Sequence, residues 1–443
     1  MNFDNYSNSK IPYDDIPISR GNQKNSSNQK NRIPIKNKVF VIVVTFLILL
    51  NGFMGYVTLN YIKNGKVKNV NLNSYTITTT QDNAETILVS SAKWSCASIS
   101  AGGEYEYTTG KFTGSYTSGS AVLFRIDTSS TGTDAYFITC NHVVSKHLND
   151  KIWIWLPSKL TPILATSVVG CSVKYDIAVI KYHTSSTDVD SNLEGCTPVK
   201  IFDTTYLMEG ERIYAIGNPY SEGMSIKSGI ISRLNKTIKY QDGLNAIEID
   251  APINPGNSGG GLFNSRGEFI GIVQSKYSTT EKVAGSDPAV IVGMSFAVPG
   301  DVAVGIATSM IQNQGNATQI NLGATFSADS AMGIVKVAEE IDGETKFLEQ
   351  ETVIVSGVSY NSSAYGYLKV GDIVKSMAFS YTYNGETISK TIKFYNKNIF
   401  ESYSFSIIKG SQIKFVIERK DTISSPYEIK EISFVVSNVN SVE

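Results

Sequence analysis

Histidine is the scarcest chemistry-bearing residue in this chain. Only His142, His147 and His183 occur among 443 residues. The four cysteines, Cys96, Cys140, Cys171 and Cys196, form no CxxC pair, and no HExxH spacing is present. A multi-histidine zinc site would use nearly every histidine, so no metal and no other cofactor is expected. Four cysteines in so long a chain also exclude a disulfide-dense miniprotein. Neither sign of charge is in excess: 39 Lys and Arg against 40 Asp and Glu leave a net charge of −1. Nucleic-acid binding as the main task calls for a basic surplus, so none is expected. Apolar residues make up 42% and charged residues 18%, a composition that folds, and the length suits two or three domains.

Charge is missing altogether from Val39 to Leu59, which reads VFVIVVTFLILLNGFMGYVTL. About 20 apolar residues cross a bilayer as a helix. A cleaved leader fits less well, because the preceding tail is long and the first alanine of the chain is Ala84. The expectation is therefore one transmembrane helix over 39–59. The tail carries Lys10, Arg20, Lys24, Lys30, Arg32, Lys36 and Lys38 against Asp4, Asp14 and Asp15. The positive-inside rule then puts residues 1–38 in the cytoplasm as a disordered tail, with the remainder outside the cell membrane. Residues 60–81, polar and rich in Thr and Asn, read as a stalk.

From Asp82 onward, short β-branched and aromatic runs alternate with turn residues, as in YFITCNHVV (136–144), YDIAVIKY (175–182) and GEFIGIVQS (267–275). Many short strands of this kind suggest a mainly β sandwich or barrel. Pro299–Gln312 switches to helical spacing, and a second strand-rich block runs from about Ile320 to Val439.

The sharpest chemical signal is Asn254-Pro255-Gly256-Asn257-Ser258-Gly259-Gly260-Gly261-Leu262. Glycines around a serine permit the backbone to aim several N–H groups at one point, as a nucleophilic serine requires. The plainer alternative is a Gly-rich hairpin loop. A serine nucleophile also needs a base and a group that orients the base. His142 follows a strand-like run and precedes Val143-Val144, and Asp176 opens the apolar strand Ile177-Ala178-Val179-Ile180.

Together, TCNHVV around His142, YDIAVIKY around Asp176 and DAPINPGNSGGGL around Ser258 resemble the motifs of trypsin-like serine proteases of the HtrA (Deg) family. The order His, Asp, Ser is that of the chymotrypsin-type double β-barrel. Gly217-Asn218-Pro219, Ser228-Gly229-Ile230-Ile231-Ser232 and the stretch Gly293–Pro299 resemble further family segments, so the likeness covers roughly 85–310. The resemblance implies Ser258 as nucleophile, His142 as base and Asp176 as its orienter. Backbone N–H groups of Gly256 and Ser258, with Asn257 a third candidate, would form the oxyanion hole. No acid is evident at the base of the specificity pocket, so a small or medium aliphatic residue is expected before the scissile bond. Gly261 stands where the family usually has proline. Residues 103–118 form a long Tyr-rich connection.

The last block resembles a PDZ domain, with Asn321-Leu322-Gly323-Ala324 in the place of the carboxylate-binding loop and Gly366–Val374 resembling the family's core stretch. The resemblance implies that Leu322, Gly323 and Ala324 receive peptide C-termini. The block also carries extra length at 375–400. The expected organisation is a trypsin-like protease domain over 82–312 and a PDZ-like domain over 318–443. By the same resemblance alone, the partners are polypeptide substrates, peptide C-termini and two further copies of the chain in a homotrimer. The cysteines allow two disulfides or four free thiols. The expected function is a membrane-anchored serine endopeptidase. The alternative is a catalytically idle, membrane-tethered peptide-binding adapter, which would have no need to keep all of His142, Asp176 and Ser258.

Overall fold

Strand after strand is dictated by β-branched and aromatic residues at alternate positions, broken by glycine turns. The computed structural model describes residues 81–185, 192–238, 244–276, 294–341, 343–383, 386–422 and 424–441. Helix α1 (Gln81–Ala92) leads into β1 (Cys96–Glu106), β2 (Lys111–Ser129) and β3 (Gly132–Cys140). A single turn, α2 (Asn141–Val144), precedes β4 (Ile152–Trp155), β5 (Ile163–Leu164), β6 (Ser167–Ser172) and β7 (Ile177–Thr184). These seven strands form one antiparallel sheet, ordered β5-β4-β1-β2-β3-β7-β6, which curls as a half-barrel. The Tyr-rich connection at 103–118 extends the β1–β2 hairpin, where Tyr105 lies 5.4 Å from Phe112 and 5.7 Å from Trp155, ring centre to ring centre.

The next strands are β8 (Arg212–Gly217), β9 (Ser225–Ile238), β10 (Leu244–Ile249), β11 (Gly261–Asn264), β12 (Phe269–Lys276) and β13 (Ser295–Pro299). They close into a barrel in the order β10-β13-β12-β11-β8-β9. Ile213, Ile231, Ile249, Leu262 and Ile270 are wholly buried within it. This pair of sheets is consistent with the expected double β-barrel. Helix α3 (Gly300–Gln312) follows and is buried on most of its surface, as an apolar helix must be.

The last block comprises β14 (Thr318–Ile320), β15 (Ala324–Ala328), β16 (Ile334–Ile341), β17 (Glu344–Glu351), β18 (Val353–Val358), β19 (Ile373–Tyr383) and β20 (Glu386–Lys393). Helix α4 (Ile399–Ser404), β21 (Gln412–Arg419), β22 (Glu428–Val435) and β23 (Val439–Ser441) complete it. Its sheet runs β15-β18-β19-β21-β22, with β20 also paired to β19. The extra length at 375–400 largely builds the β19–β20 hairpin. A second hairpin, β16–β17, reaches back to the barrel. There Lys346, almost wholly buried, donates to Glu211 at 2.6 Å and to the Tyr206 carbonyl at 3.1 Å.

One expectation is corrected. Among the described residues no helix is long and apolar enough to cross a membrane. The longest, α3, has 13 residues and spans about 20 Å, against the ~30 Å of a hydrocarbon core. The described fold therefore contains no transmembrane helix. With that expectation go the membrane anchor in the function, the membrane as a partner and the single-pass localisation. Residues 1–38, the apolar run 39–59 and the stretch 60–80 lie outside the described residues.

Helix α3 also carries an acid into the junction with the last block. Asp301 is buried and its Oδ2 accepts the Thr204 N–H at 2.8 Å, and the Thr204 hydroxyl as well. Burial, with nearby Asp203 second, pushes its carboxyl up to about 6. Burial alone would also raise Asp203, but Lys390 at 3.1 Å and the Tyr403 hydroxyl at 2.5 Å hold it low. A folded-state value raised above the unfolded one favours folding below the ordinary carboxylate range of ~4, and that contribution is lost as pH rises towards 6. Asp301→Asn keeps an acceptor for Thr204 and has no charge to bury. Its melting temperature, relative to the natural chain, is expected to rise from pH 4.5 to pH 7. Parallel melting curves at both pH values would contradict this.

Candidate active site

The candidate base, His142, sits where β3 runs out. After Cys140 the chain turns once through α2, which places His142 at the rim with its side chain about half exposed. Asp176 stands just before β7 with φ of +52°, a left-handed conformation that aspartate tolerates better than most side chains. That conformation turns the residue towards α2. The Asp176 carbonyl accepts the Asn141 N–H at 3.1 Å. One carboxylate oxygen accepts the His142 N–H at 2.8 Å, and the other lies 2.7 Å from His142 Nδ1. A carboxylate at Nδ1 leaves Nε2 as the ring's acceptor, the tautomer a general base needs.

Ser258 arrives from the other barrel, on the loop before β11. Gly256 has φ of +96° and Gly259 φ of +84°. A Cβ at Gly256 would strike the Asn218 carbonyl, and one at Gly259 the Ser120 carbonyl, so both positions need glycine twice over. Ser120 on β2 joins the loop to the first sheet. Its N–H donates to the Ser258 carbonyl at 2.8 Å and its hydroxyl donates to the Gly256 carbonyl at 2.7 Å. The same hydroxyl accepts the Asn218 N–H at 2.9 Å. Tyr220, held left-handed with φ of +55°, donates its N–H to the Pro255 carbonyl at 2.8 Å.

Of the three oxyanion candidates, Asn257 has its N–H committed to the Asn254 carbonyl at 3.0 Å. Among the described residues, the N–H groups of Gly256 and Ser258 carry no such bond. The Ser258 hydroxyl donates to the Gln274 carbonyl at 2.5 Å, so the structure brings His142 and Asp176 into direct contact but shows no hydrogen bond between Ser258 and His142.

The other histidines are occupied elsewhere. His147 Nδ1 lies 2.9 Å from Asp150, and His183 Nδ1 lies 2.6 Å from Asp134. Ligand atoms of Cys140, His142 and Asp176 fall within 4.8 Å of one another. Burial first, and Asp176 next, push the Cys140 thiol well up, so it stays protonated beside a carboxylate already engaged with imidazole. That chemistry suits a hydrogen-bonded cluster better than a metal. All four cysteines are free thiols. Phe296, within the family-like stretch Gly293–Pro299, is buried and lies opposite the buried acid Glu248 in the β10–β13 pair, an acid the sequence reading did not weigh. Leu322 is buried, and the Gly323 N–H is taken by Asn321 Oδ1 at 2.8 Å.

Residues 119–272 match the model of the trypsin-like peptidase domain. Over these residues the chain is similar to trypsin-like peptidase domains, and its curated relatives are of the HtrA/DegP type. The chain is 32% identical over 273 residues to a probable periplasmic serine endoprotease DegP-like of Buchnera aphidicola subsp. Schizaphis graminum, covering 61% of this chain and 48% of that one. It is 31% identical over 258 residues to a serine protease HtrA-like of Staphylococcus haemolyticus, covering 54% and 36%. It thus spans about half the length, or less, of these curated relatives. The solved structure of the HtrA-type protease AlgW with tripeptide superposes with a TM-score of 0.46 at 23% identity, covering 82% of this chain and 98% of that one. The resemblance read from the motifs is borne out for this region.

Sequence reasoning missed Ser120, Cys140 as a neighbour of Asp176, and Gln274, because nothing local marks a serine or glutamine inside a strand. Ser120→Ala would leave the buried Gly256 carbonyl and Asn218 N–H without the hydroxyl. Denaturant titration is expected to show a loss of about 1–3 kcal/mol, together with a lower kcat. Unchanged values for both would contradict the placement of the loop by Ser120.

Proposed function

We propose that the chain is a serine endopeptidase that cleaves unfolded or exposed polypeptides through an acyl-enzyme. The observation that carries this reading is the His142–Asp176 pair, 2.7 Å apart, set on one sheet while Ser120 holds the Ser258 loop from the other. Catalysis begins when the Ser258 hydroxyl leaves the Gln274 carbonyl and turns to Nε2 of His142. The oxygen attacks the peptide carbonyl as its proton passes to the imidazole, and Asp176 stabilises the imidazolium. The oxyanion falls to the N–H groups of Gly256 and Ser258. Loss of one such donor typically costs ~10²–10³ in rate. His142 then hands its proton to the leaving amine, and water repeats the sequence to release the acid.

The test is incubation of the natural chain and Ser258→Ala with unfolded casein. The variant is expected to fall to background with an unchanged fold. Cleavage by neither would leave the idle-adapter reading, and equal cleavage by both, with contaminating proteases excluded, would remove Ser258 from the mechanism.

For the last block we propose a PDZ-like role in taking peptide C-termini at Leu322, Gly323 and Ala324. The Asn321 side chain would then have to release the Gly323 N–H when a carboxylate arrives. Titration of the Ser258→Ala chain with hydrophobic-ended peptides is expected to favour free over amidated ends by roughly 1–3 kcal/mol. Equal binding of both forms would make this block a spacer.

A further inference from the structure

Gln274 on β12 touches both halves of the site with different atoms. Its backbone carbonyl accepts the Ser258 hydroxyl at 2.5 Å. Its side chain, 3% exposed, sends Nε2 back to the Tyr175 carbonyl at 2.9 Å. Tyr175 is the residue immediately before Asp176 and is itself wholly buried. Its carbonyl belongs to the peptide plane whose nitrogen is that of Asp176, so fixing that oxygen restricts the rotation that sets φ of Asp176. That φ is +52°, a value costly to an L-residue unless its surroundings enforce it. Within the loop itself the ties are long: the Asp176 N–H reaches the Val173 carbonyl at 3.2 Å and the Tyr175 N–H the Ser172 hydroxyl at 3.4 Å.

The geometry points to Gln274 as a positioning residue. Its amide N–H, acting through the Tyr175 carbonyl, holds the left-handed backbone that aims the Asp176 carboxylate at His142. The inference rests on the proposed peptidase activity and adds a residue to it. Without the amide donor, the 175–176 peptide is free to relax, the Asp176–His142 bond lengthens, and the imidazole loses its aim. Substrate-binding surfaces are untouched, so the loss falls on kcat and spares KM.

The experiment compares the full natural chain with Gln274→Met and Gln274→Glu, both similar in length and both without the amide donor at neutral pH. Peptide hydrolysis gives kcat and KM, and the low-field proton resonance of the His142 Nδ1–H···Asp176 bond reports the dyad itself. The expected result is a roughly 10- to 100-fold lower kcat, the scale of a small misplacement of a catalytic group. KM should stay within about twofold, and the resonance should shift or vanish while melting remains cooperative. A folded variant with natural kcat and the resonance in place overturns the assignment. Failure of both variants to fold overturns it too, because Gln274 would then be a packing residue. Absence of Ser258-dependent hydrolysis in the natural chain would instead sink the peptidase reading itself.

Discussion

Two hydrogen bonds from one residue hold the site together. Ser120 lies on the first sheet, yet its N–H and its hydroxyl bind the carbonyls of Ser258 and Gly256 from the second barrel. Such bonds in a buried place contribute about 1 kcal/mol each when made and cost more when one partner is lost. Their larger effect is geometric. A nucleophile on one barrel and a base on another can meet only if the interface fixes their separation to fractions of an ångström. The hydroxyl also accepts the Asn218 N–H, so the segment flanking the Ser258 loop is set by the same atom.

The first sheet has a matching constraint of its own. Asp176 spends its backbone carbonyl and both carboxylate oxygens on α2, so the helical turn bearing His142 is organised by the acid that orients it. The left-handed backbone at Asp176 is what makes this reach possible, and the side chain of Tyr175 before it is held by the last block. The Tyr175 ring packs edge-on to Phe405 at 5.1 Å and its hydroxyl donates to Glu401 at 3.1 Å, both in the last block. Burial and Glu401 push that phenol far up, so it remains a donor.

Much of this was legible in the sequence because its signals are local. Glycines around Ser258, an apolar strand after Asp176 and the order His, Asp, Ser need only a few neighbouring residues to be read. The strand runs and the helix at Pro299–Gln312 followed from periodicity in the same way, with α3 starting at Gly300. Ser120 and Gln274 were not legible, since each acts on a residue about a hundred or more positions away and has an ordinary strand context. That the Asn257 N–H turns back to the Asn254 carbonyl was likewise not legible. The membrane helix rested on hydropathy alone, and no described helix has the length it required.

The central claim is that Ser258 is the one serine activated by His142. A fluorophosphonate attacks an activated serine hydroxyl and leaves a stable phosphonyl ester, so peptide mass mapping after labelling tests it directly. The account predicts a single adduct, on Ser258, that disappears in His142→Ala. Labelling of another serine, or equal labelling of Ser258 without His142, would contradict it.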